Sequence, residues 1–512
     1  MNRRSFALSW GRKVFFGICW PVTCLLTFIY LQSQFLPMGA ASWGYFLATA
    51  VGISGLFTSI AYFLLYAPVI TLFPTYYFSR IWSVVLIVIL QAGILIDGFI
   101  FSQFGFHINK FIVELISADG MAALGVKPAS IILLCVVLMV IAGTIWFKGE
   151  RTWRLMQKRF SNPVQNWYLV IIALLLIISH VMFASENFQH FGRGKNLASL
   201  FPLNYQNIFF QKSENTKVSS AFFYPRKEVK CSNKVMNNIV LISIAGWDSR
   251  SFSLETTPFL YHLPDHGTSF LNHRYPARDR NEAVFALLYG LPGIYRNEAS
   301  TKAPAIITEA TKRGYDFFIR TSVPEVRAAG PSLPMNEAMN SQWKTWREGK
   351  TAPFMAFIDM ESNNISSIDS EVRDLLGSLH QDDLMKDTLF IVTGSHAPLE
   401  QTVPLFVIWP NRRKGEWNHA TTHHDVAATV MQELWGCKNK LSDISDGKSL
   451  FLGPERTWDV YGNANEFSIH NHKTNELMNA DWNGNISNKK STSEDRTLLL
   501  TVLRDISRFY RN

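Results

Sequence analysis

Five side chains in the C-terminal part of the chain have the chemistry to hold a divalent cation. They are the carboxylates of Asp248, Asp279 and Glu282 and the imidazoles of His396 and His423. A cation held by such ligands activates a hydroxyl by lowering its pKa. No Ser or Thr lies between Ser269 and Ser300, so the stretch around Asp279 and Glu282 offers no such hydroxyl. Each of the five also has an ordinary structural use. Asp279 or Asn281 reads as a helix N-cap before Ala283–Leu288, and His396 and His423 read as polar core or rim residues bonded to backbone.

These residues sit among alternating strand and helix signals. Strands are predicted at Asn238–Ile244, Tyr315–Arg320, Phe354–Ile358, Thr388–Thr393 and Leu405–Trp409. Helices fall between them at 282–290, 303–313, 365–380 and 424–435. Such alternation predicts a largely parallel sheet with helices on both faces, and ligands in such sheets bind at the carboxyl ends of the strands. The expected soluble domain covers 237–512, preceded by a polar connection at 185–236.

The region 1–184 is of another kind. Five apolar segments, near 14–36, 45–67, 81–104, 129–147 and 167–184, meet the ~20 residues needed to cross a bilayer core of ~30 Å. Arg3, Arg4, Arg12 and Lys13 precede the first, and Arg80, Lys148, Arg151, Arg154, Lys158 and Arg159 fall in the loops on the same side. The excess of basic residues there predicts a cytoplasmic N-terminus and a periplasmic C-terminal domain. Asp97 in the third segment and His180 in the fifth lie at comparable depth. An ionisable residue in lipid is costly, so they are expected either to pair or to bond backbone and the interface. A short amphipathic helix near 109–118, with Phe111, Ile112, Leu115 and Ile116, is expected in the outer interface or as a packed loop helix.

Hydrophobic residues are 48% of the 512 and charged residues 17%, and much of the net charge of +9 lies beside apolar segments. That distribution suits anionic lipid, and nothing points to nucleic acid. Cys231 and Cys437 are the cysteines outside apolar segments, and spacing leaves open whether they meet.

The motifs resemble a known family. Asn238–Ile244 resembles the first strand of alkaline-phosphatase/sulfatase-type domains. Thr388–His396 resembles their late strand ending in an Asp-His pair, Val403–Pro410 the following Val-Pro-Leu strand, and His423-His-Asp425 the His-x-Asp turn. Ile94-Leu-Ile-Asp97 with Phe101 and Phe104, Ser179-His-Val181 with Asn187, and Phe201-Pro-Leu-Asn-Tyr205 are similar to the YejM/PbgA group. The resemblance implies five spans, a periplasmic α/β/α sandwich, and a role in lipopolysaccharide supply at the inner membrane.

Against that pattern the pocket is degraded. Ala245 stands where the carboxylate belongs, the helix start Arg278-Asp-Arg-Asn-Glu282 lacks the nucleophile, and the Asp-His pair is reduced to Ser395 and His396. The expectation is a vestigial pocket of Ala245, Asp248, Asp279, Glu282, Ser395, His396, His423 and Asp425, with no catalytic residue, metal or cofactor. Function is then expected at the membrane edge. There Arg193, Lys195 and Lys212 would meet the phosphates of a lipid A-type or anionic lipid, and Phe209 and Phe210 its acyl chains. The resemblance further implies, as partner, the membrane-anchored adaptor in degradation of the lipid A deacetylase. The competing expectation is a metal-dependent phosphoethanolamine or glycerol-phosphate transferase or hydrolase of the same architecture.

Overall fold

A computed structural model describes residues 3–30, 40–104, 107–108, 110–119, 126, 128–158, 174, 177, 222–232, 236–248, 250–299, 301–327, 332–335, 337–350, 353–361, 364–396, 402–410, 414–451, 456–463, 466–482, 484–488 and 492–510. The chain divides into two compact units, one built on the N-terminal region and one spanning Phe222–Asp481 with Ile486–Lys489.

In the first unit, α1 (Arg3–Tyr30) carries a π turn at Phe15–Cys19. Helix α2 (Ala40–Ile60) continues through the π turn Ala61–Tyr66 to Leu72. Then follow α3 (Tyr76–Phe104), α4 (Lys110–Asp119) and α5 (Pro128–Lys158). Among the described residues, four helices are long and apolar enough to cross a membrane. The fifth expected span, near 167–184, lies outside the described residues apart from Leu174 and Ile177. Close packing of α1 on α2 needs a glycine: a Cβ at Gly11 would sit 2.1 Å from the buried Tyr66 ring. Small residues at such contacts let membrane helices approach.

At one end of this unit the Trp10 indole donates to the Gly149 carbonyl (3.0 Å), and Arg80 pairs with Glu150 while lying 3.8 Å from the Trp146 ring centroid. A guanidinium this buried is tolerated because a carboxylate and an aromatic face replace its water. At the other end, Asp97 accepts from the Tyr30 hydroxyl (2.7 Å) and the Ile108 amide (2.7 Å) and lies 2.8 Å from His107 Nδ1. Asp97 is therefore satisfied within the α1–α3 corner, and the expected partner His180 lies outside the described residues.

The last helix, α11 (Ser493–Ile506), corrects the expected domain boundary. It packs on α3 and α4 and belongs to the first unit, although the sequence assigns 237–512 to one domain. The reason is apolar matching: α11 buries Leu499, Leu500, Val502, Leu503 and Ile506, and α4 buries Ile112 and Leu115 completely.

The second unit is a three-layer α/β arrangement. Its seven-stranded sheet contains β1 (Asn238–Ala245), β2 (Thr268–Phe270), β4 (Asp316–Arg320), β5 (Phe354–Met360), β6 (Thr388–His396), β7 (Leu405–Ile408) and β8 (Gly415–Trp417). The order is β4-β5-β1-β6-β7-β2-β8, with β4, β5, β1 and β6 parallel and β7 antiparallel to both its neighbours. Two-residue strands β3 (His273–Arg274) and β9 (Thr421–Thr422) pair beside it, and β10 (Trp458–Gly462), β11 (Glu466–Asn471) and β12 (Glu476–Asp481) form a separate antiparallel sheet.

On one face Val240, Ile242 and Ile244 of β1 pack against α8 (Met339–Arg347) and α9 (Ile365–Gln381) through Trp343, Ile368, Val372 and Leu375. Each buried side chain of this size contributes ~1.5–3 kcal/mol. On the other face α6 (Arg280–Tyr289) touches β6, α7 (Ala305–Lys312) and α10 (His423–Thr429), and is buried almost throughout. Cys231 and Cys437 form a disulfide that closes a long loop around the unit.

Candidate functional site

At the carboxyl ends of β1 and β6 the structure brings together Ala245, Ser395, His396 and His423, with Asp279 and Glu282 at the start of α6, while Asp248 and Asp425 are held by other partners. The β1–β6 register slips at this point: Ile244 opposes Gly394, but Ala245 opposes His396, so Ser395 is the extra residue of a bulge. Only glycine fits at 394, because a Cβ there would lie 2.1 Å from the Trp247 carbonyl oxygen. Gly246 turns the chain out of β1 at a φ of +74°, and its amide donates to the His396 carbonyl (3.0 Å). Ala245 thus ends β1 with a methyl group opposite His396.

The acids of the pocket are engaged by protein donors. Asp248, 4% exposed, accepts from the Arg250 side chain, the Ser251 amide (3.0 Å) and the Ser251 hydroxyl (3.1 Å). Burial pushes its carboxyl up, but the Arg250 and Ser251 bonds outweigh this and hold it below the usual range. Asp279 is the N-cap of α6, accepting from the Glu282 amide at 2.9 Å, as its position before Ala283 predicts. Glu282 accepts from the Arg278 amide at 2.8 Å, and burial raises its carboxyl. Asp425 accepts from the Thr422 amide (2.7 Å), the Lys448 amide (2.7 Å) and Arg456.

The imidazoles form a buried row. His423 Nε2 lies 3.0 Å from the Ser395 carbonyl, which only accepts, so this nitrogen carries the proton. His423 Nδ1 therefore accepts from His273 Nε2 at 2.9 Å, and His273 Nδ1 accepts from the Thr421 hydroxyl at 2.9 Å. Burial pushes His423 down to about 4 and His273 well below its ordinary value, so both are neutral near pH 7. His396 is partly exposed and lowered by burial against a smaller opposing pull from Asp279, with Tyr275 as its ring neighbour at 5.6 Å. The Ser395 hydroxyl is buried with no hydrogen-bond partner among the described residues.

At the helix start where a hydroxyl nucleophile was sought, the structure places a cation. Arg280 reaches across the strand ends to Asp359 on β5 (2.7 Å), Glu361 (2.6 Å) and the Ser322 hydroxyl (3.1 Å). Asp359 is fully buried and also accepts from Thr321 (2.9 Å) and Ser243 (3.2 Å). Burial raises its carboxyl, opposed by the Arg280 charge. Sequence reasoning passed over Arg280, Asp359 and His273. Asp359 did leave a signal, being an acid inside the apolar run Phe354–Met360, where burial demands a partner.

The donor set does not fit a divalent cation. Both carboxylate oxygens of Asp248 and of Asp425 accept from protein donors, Asp279 and Glu282 each give one oxygen to a backbone amide, and His423 offers its one free lone pair to His273. Among the described residues no group of three or more His, Cys, Asp or Glu side chains is placed to share a metal. The expected lipid-contacting residues Arg193, Lys195, Phe209, Phe210 and Lys212 lie outside the described residues.

The chain is similar to several known proteins. A family described as "domain of unknown function (DUF3413)" matches residues 1–231. The chain is 22% identical to the inner membrane protein YejM of Salmonella typhimurium, over 99% of this chain and 97% of the relative. It is 23% identical to an uncharacterised protein of Haemophilus influenzae, over 87% of this chain and 85% of that one. Among solved structures, a protein in the alkaline phosphatase superfamily from Vibrio parahaemolyticus aligns with 60% of this chain and 97% of its own, at 12% identity and a TM-score of 0.43. The lipoteichoic acid synthase LtaP from Listeria monocytogenes aligns with 55% of this chain and 95% of its own, at 12% identity and a TM-score of 0.38. The resemblance to the YejM group read from the motifs thus extends along the whole chain.

Proposed function

We propose that this chain is a non-catalytic inner-membrane regulator of lipopolysaccharide and outer-membrane lipid homeostasis, with a sulfatase-type domain on the periplasmic side. One observation carries the reading: Arg280, bound to the buried Asp359, stands at the helix start where a metal-activated nucleophile would be required. A fixed guanidinium there already neutralises the fully buried Asp359, and a second cation would be repelled. The transferase alternative needs a hydroxyl at this helix start, and Arg278-Asp-Arg-Asn-Glu282 carries none.

The topology proposed is five spans with a cytoplasmic N-terminus. The pairing of Trp10, Arg80 and Gly149–Glu150 at one end and of Tyr30, Asp97 and His107 at the other supports alternation of the first four. The Cys231–Cys437 disulfide suits an oxidising compartment such as the periplasm. Similarity to an inner membrane protein over almost the whole length favours the same membrane.

The ligand proposed is a lipid A-type or anionic lipid held by Arg193, Lys195, Lys212, Phe209 and Phe210. The partner proposed is the membrane-anchored adaptor that presents the lipid A deacetylase for degradation. The joint variant Arg193→Ala, Lys195→Ala, Lys212→Ala is expected to lose co-purifying lipid and disturb cellular lipopolysaccharide, while His396→Ala does neither. Disturbance by His396→Ala alone, in a folded protein, overturns the proposal.

A further inference from the structure

A cleft of about 110 Å³ between the end of β3 and the β10–β11 hairpin is lined by Arg274, Tyr275, Asp459, Tyr461 and His470. Tyr275 also meets the His396 ring edge-on at 5.6 Å, so the cleft borders the pocket described above. We propose that this cleft binds a neutral sugar ring through two adjacent hydroxyls, one donating to Asp459 and the other accepting from Arg274. None of these residues enters the membrane-edge reading, and the proposal stands independently of it.

The cleft holds one acceptor and one donor that the protein leaves open. Asp459 is 3% exposed, and His472 donates to its Oδ2 at 2.8 Å. Its Oδ1 is buried without a hydrogen bond among the described residues, with Arg456 Nη1 3.4 Å away. Burial pushes this carboxyl up, but the His472 bond and the Arg456 charge outweigh it and hold it below the usual range, so it accepts at neutral pH. A buried carboxylate oxygen left unmatched is costly, and a ligand hydroxyl supplies the missing donor. Arg274 gives Nε to the Asn272 side-chain oxygen (3.3 Å) and Nη1 to His470 Nδ1 (3.0 Å), which leaves Nη2 without a bond among the described residues. His470 donates from Nε2 to Asn475 at 3.0 Å, so it is a neutral support that orients Arg274.

The two open groups fix the ligand class. An anion would be drawn to Arg274 but repelled by Asp459, and a cation would meet the reverse. A pair of neutral hydroxyls carries both a donor and an acceptor, and each bond it makes here is charge-assisted. Burial pushes the Tyr461 phenol up to about 12, so it keeps its proton at neutral pH, and its hydroxyl has no partner among the described residues. It supplies a third polar contact. The Tyr275 and Tyr461 rings line the cleft and suit the apolar C–H face of a pyranose. Few convergent polar groups beside aromatic walls are the ordinary make-up of a small-molecule site. The source is either a single sugar or one residue of a glycan chain.

The test uses the full chain in a detergent without a sugar headgroup. Methyl α-D-glucopyranoside, methyl α-D-galactopyranoside and maltotriose are titrated separately and read by saturation-transfer NMR and calorimetry. Saturable one-site binding of at least one is expected, weakened about tenfold or more by Asp459→Asn and by Arg274→Gln, each of which removes a charge-assisted contact. Tyr461→Phe should weaken it several-fold and serves as the readout if those two variants do not fold. Arg373→Gln, on the exposed surface of α9, should leave it unchanged. Equal binding of a monosaccharide and maltotriose identifies a single sugar as the ligand, and tighter binding of maltotriose identifies a chain. No saturable binding of any of the three, or binding indifferent to the cleft variants, overturns the proposal.

Discussion

Acidification from pH 7 to pH 5 should loosen the second unit around the His273–His423 row, and the size of the effect follows from the burial of His423. Unfolded, the imidazole titrates near ~6.5. Folded, it is pushed down to about 4. The unfolded state binds the proton first, so the histidine's stabilisation is complete above its unfolded value and is lost as pH falls toward the folded one. Between pH 7 and pH 5 the ratio of the two binding polynomials changes by about 20-fold, or about 1.8 kcal/mol. His273, fully buried and depressed by burial and by His423, adds loss of the same sign. Hydrogen exchange of β6 and α10 amides, corrected for intrinsic rates, should show protection at least about 20-fold lower at pH 5. In His423→Gln the side-chain amide can still donate to the Ser395 carbonyl and accept from His273, so the fold is kept and one titration is removed. Its protection should fall about 20-fold less than wild type over the same interval. Equal pH dependence in the two proteins refutes the neutral, buried row.

Three further outcomes are expected. Arg280→Ala leaves Asp359 buried without its cation and should cost about 3–5 kcal/mol, while Arg280→Ala with Asp359→Ala should be milder, as thermal unfolding will show. Replacing Cys231 and Cys437 by Ser should destabilise the second unit by about 2–5 kcal/mol, and reduction of wild type should reproduce the loss. Asp97→Ala removes the acceptor of the Ile108 amide and leaves the Tyr30 hydroxyl its longer bond to the Ile94 carbonyl (3.3 Å), and should cost about 1–3 kcal/mol, read by thermal unfolding in detergent.

Much of the framework was legible in the residues because local chemistry wrote it there. The β-branched and aromatic runs at Asn238, Phe354, Thr388 and Leu405 became β1, β5, β6 and β7 within a few residues, and Asp279 capped its helix as its position implied. Short strands such as β2, β3, β8 and β9 carry too few residues for a period to show, and they exist only through pairing with distant segments. The capture of α11 by α3 and α4 was not legible for the same reason. Its amphipathic face states that it packs, and only the fold states against what. The Arg280–Asp359 pair was not legible, because it required knowing that two residues far apart in sequence meet.

The central claim is a pocket without metal chemistry in a protein that holds lipid. Native mass spectrometry and elemental analysis of the full chain, purified in mild detergent, address both halves in one preparation. The account predicts a lipid A-type or anionic lipid adduct, lost in the Arg193→Ala, Lys195→Ala, Lys212→Ala variant, and no stoichiometric zinc, manganese or magnesium. A stoichiometric divalent cation, with phosphodiester turnover that disappears on His396→Ala, would contradict it.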